Sequence, residues 1–487
     1  MYKKLLTLSI SLLIAASTTF AAGSQRIYKR KDLGKHSTQK LERQIANKIK
    51  QHQAGTSIRS FAAAYRPALM ERFLKYVSYN RQSSETEPIT ADEIETAHKL
   101  YDEIKAMGLN VILTKHYYIF VEIPSNIDRD VPVLGYSGHY DVTPGIEGSN
   151  IQARVIKSYD GEPIVLENSQ VIDPSGANGA YLSQQVGKTI VTSDGNTLLG
   201  ADDGAGMSVL ITFMQTLADK PNLPHGKIQI VLAPNEDVAR AAEYIEETPY
   251  APDIAFDFDG GSDGRLAVEN FTARQEIFTV KGVPGHQSYA ATNGYRNAWT
   301  PACLLGKTIC PKEQMPNFSS GRQGYAELHH MYPAKKAKKE GGEEEIVYIA
   351  KLDVRLRGFD TAAMDEWEQN ADAVAEQIAE EYGVKITRER TETYANIAES
   401  THRNALQITL DAAKNVDVTV RPQAVRAGTT AALFSVKGVV GAFTIFTGQN
   451  NAHNYTEWLS EEDMYHSYLM ALSLMNEVAR FNYTSAK

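Results

Sequence analysis

Five side chains able to coordinate a metal ion, His139, Asp202, Asp237, Asp259 and His453, each sit on or just after a short apolar run of this 487-residue chain. Two imidazoles and three carboxylates, far apart in sequence, suit a pair of divalent cations. Further acids stand beside them. Asp141 follows His139 in a His-x-Asp, where its carboxylate can accept from the ring N–H and fix which nitrogen faces a metal. Glu236 directly precedes Asp237, and neighbouring acids on a loop can point different ways. One can ligate a cation while the other takes a proton from water, the division of labour that hydrolysis requires. Asp202 is followed by Asp203 and by the small residues Gly204-Ala205-Gly206, which permit close backbone approach; adjacent acids flanked by apolar residues are costly without a compensating cation. Each pattern alone has a plainer reading, as a surface His–Asp pair, solvated turn acids, or acids favoured at a helix N-terminus. Their joint occurrence in this order favours a metal site. Gly135-Tyr-Ser137-Gly138-His139 has the outline of a serine nucleophile elbow, but His stands where that turn needs Gly.

The runs that carry these residues, Val131–Leu134, Thr197–Leu199, Ile228–Leu232, Ile254–Phe258 and Ala442–Phe446, read as buried strands. In an open α/β sheet the loops beyond the carboxyl ends of the strands converge on one crevice, so ligands distributed this way can meet. Thr90 and Glu93 form a capping box for a helix with Ile94, Ala97, Tyr101 and Ile104 on one face, ending near Gly108. Alternation of helices and strands persists to about Asn270. The texture then changes: a strand over Gln275–Val280, a helix over Thr300–Ile309, a strand over Ile346–Leu356 and a helix carrying Met364, Trp367, Ala371, Val374 and Ile378 indicate a smaller α+β insert. Residues 335–345 read as a charged loop. From Tyr394 the α/β pattern resumes, ending in an amphipathic helix around Tyr468–Phe481. The expected fold is α/β, with a mixed, largely parallel sheet and an inserted smaller α+β domain.

At 43% hydrophobic and 22% charged, the chain can bury more than one core, and two domains are the natural expectation. A net charge of −9 argues against a nucleic-acid partner, and the basic cluster between Arg26 and Lys50 has no aromatic stacking pattern with it. The first 22 residues have a secretory layout: Lys3 and Lys4, an apolar stretch from Leu5 to Ala16, and small residues permitting cleavage after Ala21 or Ala22. That stretch is shorter than the ~20 residues a membrane span needs. The sequence therefore predicts a periplasmic or secreted protein, with no membrane association after signal removal and an N-terminal extension over 23–66. Cys303 and Cys310 lie seven residues apart in a predicted helix, roughly 10 Å between backbones and beyond disulfide reach, and read as small buried hydrophobes.

Leu69-Met-Glu-Arg-Phe-Leu-Lys-Tyr-Val-Ser78, Thr197-Leu-Leu-Gly-Ala-Asp-Asp203, Pro224-His-Gly226, Asp259-Gly-Gly261, Glu269-Asn-Phe271, Lys281-Gly-Val283 and Phe446-Thr-Gly448 together resemble the M20 family of metallopeptidases, and within it the tripeptide aminopeptidases of the peptidase T type. The resemblance covers most of the chain after the leader. It implies a zinc-peptidase-like catalytic domain over 67–271 and 394–487, interrupted by a lid and dimerisation domain over 272–393, and a homodimer formed through that lid. It further implies two zinc ions per chain. Asp202 would bridge them, one ion also held by His139 and Asp259, the other by Asp237 and His453. Glu236 would be the general base, acting on a water whose pKa two cations lower toward ~7, Asp141 the carboxylate that orients His139, and the Asp202–Asp203 peptide cis. The resemblance assigns His286 to the oxyanion, Asn297 and an arginine, Arg355 ahead of Arg357, to substrate, and Arg426 to the peptide carboxylate.

The chain departs from the family pattern at Gly204, where Lys follows the acid pair, at Asp237, which replaces Glu, and at Thr430, which ends a run that otherwise carries Asp. A ligand one methylene shorter is absorbed by backbone movement or weakens one metal site. Three readings follow: an exported dizinc aminopeptidase for short peptides, an M20-like carboxypeptidase or amidohydrolase, and a catalytically silent peptide- or metal-binding protein. Intact Glu236, Asp202 and both histidines weigh against the last.

Overall fold

Four segments rich in β-branched and aromatic residues form the centre of the molecule, side by side and all parallel. The computed structural model describes residues 57–176, 179–262, 264–333 and 348–481. The predicted leader over 1–22, the basic cluster and the predicted loop over 335–345 lie outside the described residues. The central strands are Ile228–Ala233, Leu134–His139, Ile254–Gly260 and Ala442–Phe446, adjacent in that order. Two antiparallel strands, Asn110–Leu113 and Ile119–Ile123, extend one edge. Arg265–Asn270, antiparallel to Ala442–Phe446, and Arg421–Val425 extend the other, giving eight strands. Because the central strands run the same way, their carboxyl ends lie along one rim.

Helices cover the sheet. Ala201–Asp219 packs on Leu134–His139 and Ile254–Gly260 and is itself covered by Arg66–Val77 and Glu461–Arg480, so it is apolar around most of its circumference. Its contact with the sheet is unusually close at Gly206, where a Cβ would collide with the carbonyl oxygen of Phe258. The predicted capping box is present: Thr90 Oγ1 accepts from the Glu93 amide at 3.1 Å, and Glu93 Oε2 accepts from the Thr90 amide at 2.9 Å. That helix runs Ala91–Ala106, and Gly108 follows with φ +80°, a left-handed conformation that glycine adopts without strain.

Between Thr272 and Tyr394 the chain builds a second sheet, antiparallel, in the order Tyr325–Pro333, Ile349–Gly358, Thr272–Lys281, Lys385–Tyr394. Helices Trp299–Ile309 and Thr361–Tyr382 pack on it around a separate apolar core that includes Phe278, Leu305, Leu352 and Ile378. The whole is mixed α/β with a large, mostly parallel sheet and an additional antiparallel-sheet domain.

Several local expectations differ from the structure. The strand placed at Val131–Leu134 begins at Leu134 and ends at His139 itself. Thr197–Leu199 is not a strand; it is an extended lead into the helix at Ala201, and the neighbouring strand, Ile190–Thr192, belongs to a separate small sheet with Arg154–Ile156 and Trp458–Ser460. The last helix starts at Glu461, because Ser460 caps it by accepting from the Asp463 amide. Cys310 is buried as expected, but Cys303 is exposed, since it faces away from the sheet on its helix.

Candidate metal centre

Each chemically able residue sits at the rim where the parallel strands end. His139 is the last residue of its strand and has no exposed surface. Glu236 and Asp237 follow the strand Ile228–Ala233 after Asn235, whose φ of +57° turns the chain sharply. Asp259 is the penultimate residue of its strand, and His453, at φ +58°, lies in the loop beyond Ala442–Phe446. Asp202 comes instead from the first turn of the helix Ala201–Asp219, through a cis peptide to Asp203.

These groups meet. His139 Nε2 lies 3.1 Å from Asp202 Oδ1, 3.7 Å from Asp259 Oδ1 and 3.8 Å from Glu236 Oε2. His453 Nε2 lies 3.3 Å from Asp202 Oδ2 and 2.7 Å from Asp237 Oδ1. The two oxygens of Asp202 therefore face two different histidines. Ligand atoms of His139, Glu236 and Asp259, and separately of His139, Asp202 and Asp237, all approach within 4.8 Å of one another. Asp237 Oδ2 is buried with no hydrogen-bond partner among the described residues. An unpaired, buried carboxylate oxygen beside two imidazoles and two further acids fits a divalent cation, which would supply the missing bond.

Asp141 organises two parts of the centre at once. Its Oδ1 lies 3.2 Å from His139 Nδ1, and its oxygens accept the Glu236 and Asp237 amides at 2.9 and 3.1 Å. The Asp202 turn is fixed by a residue that the sequence reading missed. Glu457, fully buried, accepts the amides of Leu199, Gly200 and Asp202 at 2.8, 2.7 and 3.0 Å. Burial pushes its carboxyl up to about 7 against those hydrogen bonds. Arg81, also wholly buried, donates to the carbonyls of Tyr140, Asp141 and Gly200. It accounts for Gly204: a Cβ there would stand 3.0 Å from Arg81 Nη2 and 3.3 Å from Val77, so the guanidinium occupies the space a longer side chain would need.

The electrostatics follow from crowding acids into a largely buried site. Burial, then the charges of Asp259, Asp237 and Asp202, hold the Glu236 carboxyl well above its ordinary range, with only His139 opposing. Burial and the Asp202 charge raise Asp259 to about 8 and Asp237 to about 6. Burial would raise Asp202 as well, but hydrogen bonds from His139 and His453 outweigh it and hold that carboxyl low. Burial disfavours the charged form of His453, yet the bonds to Asp202 and Asp237 lift it to about 11. Carboxyls forced upward and imidazoles held charged by the same neighbours are the signature of a centre short of positive charge.

A cavity of about 370 Å³ opens onto this centre, with Asp202, Glu236, Asp237, Asp259 and His453 along one side. The other residues singled out for substrate lie elsewhere. His286 accepts the Ser288 amide in an exposed turn; Asn297 caps the helix at Trp299 by accepting the Trp299 and Thr300 amides. Arg355 lies within the antiparallel sheet opposite Gln275 and Glu327. Arg357, two residues on, sits over the ring of Tyr394 at 5.5 Å, and the Tyr394 hydroxyl, raised chiefly by burial, also feels the charge of Glu236. Arg426 donates to the carbonyls of Gly321 and Gln323 and to Ser319 Oγ and lies over the rings of Phe271 and Tyr325. The structure thus gathers the seven proposed metal and proton-handling residues and leaves His286, Asn297, Arg355 and Arg426 off the cavity wall.

The sequence profile of the peptidase family M20/M25/M40 matches residues 193–477. A peptidase T of Halothermothrix orenii is 33% identical over 398 residues, 80% of this chain and 94% of that protein, and a peptidase T of Clostridium botulinum is 32% identical over 401 residues with the same coverage. The chain belongs to the M20 peptidase family. As an M20 enzyme it is a metallopeptidase. Its fold is similar to that of an aminopeptidase PepT from Bacillus cereus (TM-score 0.62, 17% identity, 85% of this chain and 99% of that one). A dinuclear metal-binding M20 peptidase from Bacillus subtilis is also similar in fold (TM-score 0.56, 14% identity, 85% and 99% covered). These relatives overturn the expectation of a periplasmic or secreted location. The alignment runs over 94% of the length of peptidase T proteins and gives export no support.

Proposed function

We propose that this M20 peptidase is a dizinc aminopeptidase acting on short peptides, tripeptides foremost. One observation carries the reading: the two oxygens of Asp202 face His139 and His453 from opposite sides, with Asp259 beside the first and Asp237 beside the second. That arrangement supports Asp202 as the shared ligand, His139 and Asp259 completing one site and Asp237 and His453 the other. Two bound cations would polarise the scissile carbonyl and acidify a water. Glu236 is placed to take that water's proton, since its carboxylate is 3.8 Å from His139 Nε2, lines the cavity and is not assigned to either cation, so it can later return the proton to a departing amine. Asp141 holds the loop of Glu236 and the ring of His139 in one register, so the base and a ligand cannot move independently.

The insert over 272–393 is read as the lid and as the surface of a homodimer, which sedimentation of the purified protein would test. For the chemistry, Glu236→Ala should lower turnover of a free tripeptide by roughly 10²–10⁴-fold, the range of a general base. Metal content, measured by elemental analysis, should stay near two ions per chain. Unchanged turnover rejects Glu236 as base, and cleavage of N-blocked in preference to free peptides rejects the aminopeptidase reading in favour of an amidohydrolase.

A further inference from the structure

The cavity does not end at the acids. Outward from the strand of Asp259 the sheet continues through Ala442–Phe446, Arg265–Asn270 and Arg421–Val425. Thr444 pairs with Ala267 and Ala267 with Gln423, so these three form a row across the strands, and all three line the cavity. Arg265 lies two residues before Ala267 on the same face, at the exposed start of its strand, and lines the cavity too. It is the only arginine or lysine among the described residues that does so.

Its neighbours make it distinctive. Arginines elsewhere around the cleft are engaged: Arg426 by two carbonyls and a hydroxyl, Arg322 by both oxygens of Glu269, Arg357 by two carbonyls. The Arg265 guanidinium has no ion pair, side-chain hydrogen bond or ring contact among the described residues. Arg421 pairs with it directly on the neighbouring strand, and Gln423, two residues further along that strand, adds an amide without adding charge. A guanidinium presents a rigid fork of donors that matches a carboxylate. Two strand spacings put the strand of Arg265 about 10 Å from that of Asp259, and an extended peptide covers ~3.3–3.6 Å per residue. A carboxylate two or three residues from the scissile bond is therefore within reach.

We infer that Arg265, assisted by Gln423, binds a carboxylate of the peptide substrate at the far end of the cavity, and is the residue that makes the enzyme prefer short acidic or free-ended peptides. The inference rests on the peptide-hydrolase reading above. The carboxylate is either the C-terminus of a peptide of three or four residues or an acidic side chain at the same distance. Either source places a negative charge opposite the acidic, cation-binding end, so the cavity orders the peptide by its charge.

The test uses the full-length, metal-loaded enzyme and three tripeptides: one with a free C-terminus, its C-terminal amide, and an amide carrying Glu in the third position. Wild type should favour one or both carboxylate-bearing peptides over the plain amide by tenfold or more in kcat/KM. Preference for the first identifies the C-terminus as the source, and preference for the Glu amide the side chain. In Arg265→Ala that preference should collapse toward one, through a rise in KM on the order of tenfold to a hundredfold, as loss of a charged hydrogen bond gives. Arg265→Lys should recover part of it, and Gln423→Ala should weaken it less. A wild type indifferent to the carboxylate, or an Arg265→Ala enzyme that keeps the wild-type preference, overturns the inference while leaving the peptidase reading intact. Equal losses on all three peptides assign Arg265 to folding and overturn it as well. Failure of wild type to cleave any of them rejects the peptidase reading and this inference with it.

Discussion

Glu457 does more for the centre than its position in the sequence suggests. Three amides from the Leu199–Asp202 turn converge on its two oxygens, so the turn that presents Asp202 is held by a carboxylate more than 250 residues away. Glu457→Gln keeps the shape but replaces one acceptor oxygen with an NH₂ group facing donors. The expected outcome is a loss of about 1–3 kcal/mol in denaturant unfolding, the penalty for an unsatisfied buried group. Metal titration should show a 10–100-fold weaker affinity, as when a ligand loses the residue that orients it. Wild-type values for both would remove Glu457 from the positioning apparatus. At Asp237 the Asp141 carboxylate accepts the amide at 3.1 Å and Oδ1 lies 2.7 Å from His453 Nε2.

Among the elements, the helix Ala91–Ala106 shows how far local chemistry reaches. Its capping box is reciprocal, and Glu93 Oε1 also accepts the amide of Asn235, 3.3 Å away, directly before Glu236. Thr90→Ala should cost about 1 kcal/mol in urea unfolding; an unchanged midpoint would show that the cap bears no weight. This helix was legible in the sequence because both halves of the box lie three residues apart. Ile228–Ala233 and Ala442–Phe446 were legible because central parallel strands are buried on both faces and read as unbroken apolar runs. Thr197–Leu199 has the same look, but Leu198 packs against Val142 and Ile151 and the Leu199 amide bonds Glu457, tertiary facts that no short window contains. The proposed ligands His139, Asp202, Asp237, Asp259 and His453 could be picked out because each lies on or beyond a short apolar run that ends at the rim. Glu457, Arg81 and Gln449, which donates to the backbone and side chain of Asp259, act through backbone groups or distant partners and leave no local trace.

At the scale of the whole molecule, the centre ties together segments from residue 139 to residue 453, so a bound metal pair should contribute to global stability as well as to chemistry. With free metal at a thousand times its dissociation constant, mass action gives about 4 kcal/mol. Chelation should therefore lower the thermal midpoint of the purified protein, and added zinc should restore it; a midpoint indifferent to both would speak against the proposed centre. The antiparallel domain over 272–394 has its own apolar core. It joins the large sheet through Asn270, whose amide bonds the carbonyls of Phe271 and Ala395 and whose oxygen accepts from Ile397, so the outgoing and returning strands are clasped at one side chain. The close seating of Gly206 against Phe258 divides the enzyme's freedom to change over evolutionary time. At Gly206, against the Asp203 carboxylate, no side chain can be admitted, whereas Arg265 and Gln423 stand on the open wall of the cavity. The residues that choose the peptide can thus change while the helix seat behind the acids stays as it is.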